Sequence, residues 1–342
     1  MTQPQTIDKP RIGITLGDLN GIGPEVVIKA LSDNRLLNLM TPVVYGSTKV
    51  LSFYRKLMNL EEFNYSVVKT KGQLFPKTIN VVNCWEDVYE ITPGQPSRQT
   101  AKAALLCLKK AVEEVKEGLI DGFVTGPIDK NTIHGEDFPF QGHTEYLTQE
   151  FNAGESLMLM VGNDLKVGLV TEHIPVKDVS SLITKERVEL KIRLMELTLK
   201  NDFLINKPKI AVLGLNPHAG DEGLLGTEEI EVIKPVIQDL KSKGKLIFGP
   251  FPADGFFATG QHAKYDGIIA MYHDQGLVGF KTLSFGSGIN YTAGLPYVRT
   301  SPDHGTAYNL AGKNEASESS MREAMYVACD IIRNRKAFLV EK

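Results

Sequence analysis

Gly267-Ile268-Ile269-Ala270-Met271-Tyr272-His273 is a short apolar run that ends in a histidine. The same form occurs twice more. Val167-Gly168-Leu169-Val170-Thr171-Glu172 leads into His173, and Ile210-Ala211-Val212-Leu213-Gly214-Leu215 is followed by Asn216-Pro217-His218. Each run has strand length and little polar content, so each reads as a buried strand. Each histidine then falls just past the carboxyl end, the edge where ligands bind in open α/β sheets. Three imidazoles converging on one rim can hold a divalent metal and leave a position open for substrate. Taken singly, each reads more readily as an ordinary loop or buried histidine. The repeated setting is what brings a metal site into contention.

Outward from these runs, short apolar strands alternate with longer amphipathic segments, the pattern of an α/β fold with a largely parallel sheet. Residues 11–16 read as the first strand, followed by the glycine-rich loop Gly17-Asp18-Leu19-Asn20-Gly21-Ile22-Gly23-Pro24-Glu25. Pro24 suits the first turn of a helix, where its missing N–H is not needed. Residues 42–45 read as the next strand. The stripe Ala101, Ala104, Leu105, Leu108, Ala111, Val112 and Val115 predicts a helix over 97–117, with Gly118 as its stop. A strand over 120–125 is broken by Gly126-Pro127. A second long helix is expected over 184–201. Thr227 is placed to cap a third, with Glu228 and Glu229 in its first turn. A last helix, capped by Ser and Glu, is expected over 317–333.

At 342 residues the chain is long for a single core, so two lobes are expected. With no repeat, low-complexity tract or Gly/Ser tether, they are expected to share strands or a hinge. A net charge of -3, and no basic cluster with interleaved aromatics, argue against nucleic acid or an anionic membrane as partner. Cys84, Cys107 and Cys329 are few, odd in number and widely spaced, which supports neither a disulfide framework nor a thiolate metal site. They read as small apolar residues in a reducing compartment. The polar stretch Met1-Thr2-Gln3-Pro4-Gln5-Thr6 is expected to be disordered. It opens no secretory signal, and no apolar stretch is long enough to span a bilayer, so a cytoplasmic location is expected.

Other segments carry polar groups of binding type. The loop after the first strand lacks G-x-G-x-x-G and a Walker lysine, which disfavours a Rossmann dinucleotide site there. It reads either as an anion site at a helix start or as a tight structural turn. His143 and Thr144 pair an imidazole with a hydroxyl at an expected helix start, and Thr144 serves equally as a cap. Asp274, beside His273, can orient an imidazole, act on a substrate proton, or cap a turn. Beyond Lys281, the residues Asn290, Arg299, Asp303 and His304 lie among glycines and prolines. Lysine and arginine in such a setting suggest a phosphate or carboxylate on the substrate, with Arg299 suited to a two-point grip.

Five segments together resemble one family. They are Gly17-Asp18 with Gly21-Ile22-Gly23-Pro24-Glu25; Gly142-His143-Thr144-Glu145; Asn216-Pro217-His218-Ala219-Gly220-Asp221; Tyr272-His273-Asp274-Gln275-Gly276; and Asn290-Tyr291-Thr292 through Arg299-Thr300-Ser301-Pro302-Asp303-His304-Gly305-Thr306-Ala307. In this order they resemble the 4-hydroxythreonine-4-phosphate dehydrogenases of vitamin B6 biosynthesis, from about Arg11 to the last helix. The chain departs from that pattern at Asp18-Leu19-Asn20, where the family often has Asp-Pro-Ala.

The resemblance implies two α/β/α lobes sharing a mixed, largely parallel sheet with a cleft between them, as in isocitrate and isopropylmalate dehydrogenases. The corresponding expectation is a cofactor-side lobe of residues 8–135 plus 286–342, and a metal, substrate and dimerisation lobe of residues 136–285. It implies His173, His218 and His273 as metal ligands, and His143, Thr144, Lys281, Asn290 and Arg299 as contacts to a phosphorylated amino-acid substrate. It also implies a homodimer with shared active sites, His218 crossing over to the partner's. Residues 304–314 are similar to the segment that embraces adenosine in the β-decarboxylating dehydrogenases. NAD or NADP is therefore expected on His304, Gly305, Thr306, Ala307, Asn309 and Leu310.

The implied reaction is metal-dependent oxidation of 4-phosphooxy-L-threonine to 2-amino-3-oxo-4-phosphooxybutanoate, which decarboxylates to 3-amino-2-oxopropyl phosphate. Asp274 and Lys281 are the nominees for proton transfer. Zinc is the first choice for three imidazoles, with magnesium or cobalt as alternatives. One rival is a dehydrogenase of 4-phosphorylated threonate or erythronate. Another, from a different class, is a metal-dependent hydrolase of a phosphorylated metabolite, for which HExxH is missing.

Overall fold

In a computed structural model, strands and helices alternate along the chain; residues 9–284 and 286–340 are described. The polar stretch Met1 to Thr6 lies outside the described residues. The strands are β1 (Arg11–Thr15), β2 (Thr41–Gly46), β3 (Tyr65–Val67), β4 (Ile79–Asn83), β5 (Gly122–Thr125), β6 (Leu157–Gly162), β7 (Leu165–Leu169), β8 (Ile210–Leu213), β9 (Ile247–Phe251), β10 (Gly267–Ala270), β11 (Ile289–Ala293) and β12 (Val298–Pro302). The pairing is mixed and mostly parallel, as expected for the fold class. No helix among the described residues is long and apolar enough to cross a membrane.

The chain groups into two units. The first takes the described residues of Met1–Tyr146 together with Tyr297–Arg333. Its strands run in the order β3-β4-β2-β1-β5-β12, and all their pairings are parallel. The chain leaves β1 toward β2 and β4, then returns to β1's other side at β5. That reversal is a topological switch point, and ligands bind beyond the strand ends at such points. The loops after β1 and β5 meet there: the Asp18 N–H donates to the Pro127 carbonyl, 2.8 Å away.

The second unit is Leu147–Pro296 with the described chain from Asn334. Its order is β11-β6-β7-β10-β8-β9. β6 is antiparallel to both β11 and β7, whereas β7, β10, β8 and β9 pair parallel to one another. Ile269 of β10 sits opposite Gly168 on one side and Val212 on the other. One face of these strands packs Val167, Leu169, Ala211, Leu213, Ile268 and Ala270 against Leu277 and Phe280 of helix His273–Leu283 and against Phe256. The other face meets helix Lys185–Asn201. Covered on both faces, the strands are apolar apart from Lys166 near the start of β7, which is why their runs read so cleanly.

Several local readings match the structure. Helix Arg98–Lys116 is capped by the Ser97 hydroxyl, which accepts from the Thr100 N–H, and Gly118 follows it in the left-handed region, at φ 72°. Thr184 caps helix Lys185–Asn201 through its hydroxyl. Two readings need correction. Thr227 caps with its backbone, not its side chain: its carbonyl accepts from Ile230 and Glu231. Glu229 lies in the first turn as expected, but that turn is π-helical, Glu229–Ile233, and the side chain is fully buried. The last helix runs further than expected, over Ser319–Val340. The reason is that Arg335 has buried partners: it reaches Asp202 and the Tyr291 hydroxyl.

Helix His273–Leu283 is pressed onto the sheet at Gly276, where a Cβ would meet Leu169 at 2.8 Å and Ala270 at 3.0 Å. Gly276→Ala should therefore destabilise the protein by about 1–3 kcal/mol through overpacking. Urea unfolding checks this, and an unchanged midpoint would contradict the close contact.

Candidate active site

The three histidines leave the same edge of the second unit. β7, β10 and β8 are adjacent and parallel, and His173, His273 and His218 follow their carboxyl ends. Pairing continues past β7: Val170 and Thr171 N–H groups donate to the Ala270 and Met271 carbonyls, at 2.8 and 3.1 Å. This extension brings His173 beside His273, with ring centroids 5.8 Å apart. Two imidazoles sharing one metal at about 2.0–2.1 Å per bond lie at roughly this separation. The His273 Nδ1 lies 2.7 Å from Asp274 Oδ1. A carboxylate there can only accept, so Nδ1 donates and Nε2 keeps its lone pair for a ligand. Of the readings open for Asp274, the structure shows the imidazole-orienting contact.

His218 is reached differently. It lies five residues beyond β8 and lines a cavity of about 660 Å³ with Tyr272, Asp274 and Gln275. That volume is in the range of small-molecule sites. Residues 218–222 are all left-handed, with φ of 54°, 52°, 83°, 43° and 53°. Four of the five carry a Cβ, at roughly 1–2 kcal/mol each. Such strain persists only where surroundings enforce it. Among the described residues, no three His, Cys, Asp or Glu side chains of the chain form a ready metal cage.

In the first unit, His143 and Thr144 open helix His143–Glu150, so Thr144 lies inside the first turn and does not cap it. Arg299 on β12 is buried, and its Nε and Nη2 both donate to the Thr125 hydroxyl, at 3.1 and 2.6 Å. Burial pushes its guanidinium down to about 9, which still leaves it charged at neutral pH. Desolvation, then the charges of Arg299 and Lys130, hold the His143 imidazole well below its ordinary value. A neutral imidazole, a hydroxyl, a helix N-terminus and two cations make an anion-seeking group.

The glycine-rich loop proves to be a structural bracket. The Ile22 N–H donates to the Thr306 carbonyl at 2.9 Å, the Asn20 N–H to Asp18 Oδ1, and the Gly21 N–H to the Asp18 carbonyl. These groups are spent within the protein, which favours the tight-turn reading over the anion site. The Tyr308 hydroxyl donates to Asp18 Oδ2, and the Gly312 N–H to Glu25 Oε1. At the departure from the family pattern, the Asn20 side chain accepts from the Thr92 N–H and donates to the Gln95 carbonyl. The loop thus holds His304, Gly305, Thr306, Ala307, Asn309 and Leu310 beyond the end of β12. His304 Nδ1 faces the Gly305 carbonyl at 3.1 Å, so it donates, and Nε2 is left buried as an acceptor without a protein partner. An unpaired acceptor in this segment fits a nucleotide with an N–H to offer.

The remaining site residues lie in the second unit. Asn290 on β11 has its Oδ1 buried without a protein partner, again an acceptor for a ligand donor. Lys281 is exposed on helix His273–Leu283, eight residues beyond His273 and so about 12 Å along the axis. It does not adjoin the histidine within the chain, whereas Asp274 does. Three contributors were missed from the residues alone: Lys130, Glu229 and Gln275. Gln275 donates to the Gly214 carbonyl at 2.6 Å and accepts from the Met271 N–H at 2.7 Å, tying the ends of β8 and β10 together. Its place beside His273 and Asp274 was the available signal.

The depressed His143 pKa has a consequence for stability. The unfolded imidazole, near its ordinary 6.5, takes up a proton as pH falls, and the folded one resists. Stability from this group is therefore present above about pH 6.5 and lost progressively below it. His143→Gln should flatten that acid-side decline in urea-unfolding free energy between pH 7.5 and 5; an identical pH slope would refute it.

A family model described as "Pyridoxal phosphate biosynthetic protein PdxA" matches residues 38–328. The chain is 51% identical over 330 residues to the 4-hydroxythreonine-4-phosphate dehydrogenase of Bacteroides thetaiotaomicron, covering 96% of this chain and 90% of that one. A protein of Oceanobacillus iheyensis, provisionally named a D-threonate 4-phosphate dehydrogenase, is 38% identical and covers 94% of this chain and 98% of its own. The crystal structure of 4-hydroxythreonine-4-phosphate dehydrogenase from Klebsiella pneumoniae superposes with a TM-score of 0.80 at 33% identity, over 95% of this chain and 98% of that one. The chain belongs to the PdxA family of pyridoxal phosphate biosynthetic proteins.

Proposed function

We propose that the protein is an NAD-dependent dehydrogenase that oxidises 4-phosphooxy-L-threonine at its C–OH carbon, in a reaction assisted by a divalent cation. The observation that carries this reading is the delivery of three histidines from three adjacent parallel strands, with Asp274 orienting one of them. His173, His218 and His273 would hold the cation. Zinc suits imidazole best, with cobalt or magnesium as alternatives. A bound cation lowers the pKa of a substrate hydroxyl, and NAD or NADP takes up the hydride.

The chain's own residues supply the rest. His143, Thr144 and Arg299 grip the phosphate, with Lys281 as a further cation for phosphate or carboxylate. Asn290 Oδ1 accepts from a substrate N–H or O–H. Residues 304–310 would embrace the nucleotide at the end of β12, with His304 Nε2 accepting from it. Asp274, next to the histidines, is the better placed base for the hydroxyl proton. The hydride leaves carbon as that proton leaves oxygen, giving a β-keto acid. Its carboxylate bond then breaks, CO₂ departs, and the electron pair passes to the adjacent carbon and takes up a proton.

A homodimer follows from this reading: His218 sits on its own strained turn, and the partner's site is where it would complete a trio. The first unit is then the cofactor side, the second the metal and dimerisation side, in a cytoplasmic enzyme. A 4-phosphorylated threonate is the second reading, favoured by the Oceanobacillus relative.

The deciding measurement is NADH formation by purified protein with zinc and each substrate. Faster turnover of the threonine phosphate is expected; no NADH from either would sink the dehydrogenase reading. Arg299→Ala should raise KM for the phosphorylated substrate by about 30-fold or more, from the roughly 2–5 kcal/mol attached to a buried charge contact. His173→Ala should lose bound metal, and full metal content by elemental analysis would count against the ligand set.

A further inference from the structure

The left-handed turn that carries His218 has a specific internal support. The Glu229 side chain is fully buried, and its carboxylate takes two hydrogen bonds from one residue: the Asn216 N–H at 2.7 Å and the Asn216 Nδ2 at 2.9 Å. Asn216 stands two residues before His218. The same carboxylate fills the inside of the turn. A Cβ on Gly220 would lie 2.6 Å from Glu229 Oε2, and one on Gly214 would lie 3.0 Å from Oε1. The Gly220 N–H and carbonyl lie in the left-handed run itself, at φ 83°.

The helix that bears Glu229 begins as a π turn, a feature often found at functional sites. Asn216 Nδ2 also donates to Glu228 Oε2 at 2.8 Å, so two consecutive acidic residues grip one amide. A surface cap would need neither burial nor two-point binding.

We infer that Glu229 is a positioning residue for His218: its carboxylate, through Asn216 and the glycine-lined turn, sets the direction of the imidazole and so the affinity of the histidine trio for a divalent cation. This rests on the reading of His218 as a metal ligand. Groups that orient ligands in this way typically change metal affinity by about 10–100-fold. Glu229→Gln replaces one acceptor oxygen with an amide donor facing the Asn216 amide, which loosens the turn without changing the side chain's size. Asn216→Ala removes the side-chain amide from the other end.

The test uses the full-length protein, metal-free and then titrated with Zn2+ alone, alongside His218→Ala. Hydrogen exchange is followed in peptides covering residues 214–226. Expected for Glu229→Gln and Asn216→Ala are faster exchange confined to that segment, zinc affinity weakened about 10–100-fold, and NADH formation restored by excess zinc. His218→Ala should lose affinity, and excess zinc should not restore its activity. If Glu229→Gln and Asn216→Ala keep wild-type zinc affinity while His218→Ala loses it, the Glu229 assignment is overturned alone. Exchange that rises throughout the second unit overturns it too, because the residue is then only structural. If His218→Ala itself keeps full zinc affinity, the ligand reading beneath the inference fails.

Discussion

The parallel pairing of β7, β10 and β8 is the constraint on which the candidate metal site depends. Helices cover both faces of these strands, so apart from Lys166 near the start of β7 their positions are apolar and polar groups gather beyond the carboxyl ends. Parallel pairing puts all three carboxyl ends on one edge. Three histidines that are far apart in sequence thereby become neighbours of one rim. Had any of the strands been reversed, its histidine would have left from the opposite edge.

The two units meet different chemical demands by the same device. In the first, the reversal of strand order around β1 opens a place beyond β1, β5 and β12, and the glycine-rich loop spends its N–H groups bracing the segment that follows β12. Close by in that unit, burial and then the charges of Arg299 and Lys130 hold the His143 imidazole well below its ordinary value, so it contributes polarity without adding a charge beside the buried Arg299. In the second unit the polar groups are imidazoles with a carboxylate behind them. Cation-seeking and anion-seeking chemistry thus arise from separate sets of loops on parallel strands.

Legibility followed the range of the interactions. The stripe from Ala101 to Val115, the Ser97 and Thr184 caps and the stop at Gly118 were readable because each is decided within a few residues. The strands were readable because two-sided burial leaves an unbroken apolar run. Thr227 was misread as a side-chain cap, and the burial of Glu229 in the first turn was not legible from its neighbours in the chain. Only burial against Gly214 and Gly220 turned Glu229 inward, and that depends on residues up to 15 positions away in the chain. Gln275 was passed over for a related reason: its two partners, Gly214 and Met271, lie just past the ends of different strands.

The sequence by itself determined the alternating α/β pattern, the strand-end placement of the histidines, and, through its ordered motifs, the family. These rest on local periodicity and on residue identity, which need no knowledge of distant contacts. Tertiary structure alone decided the order β7-β10-β8, the approach of His173 to His273, and the left-handed turn under His218. It also decided that the glycine-rich loop is a bracket whose N–H groups are already taken. Each of these is a relation between segments far apart in the chain, set by which strands pair and which polar groups burial forces together.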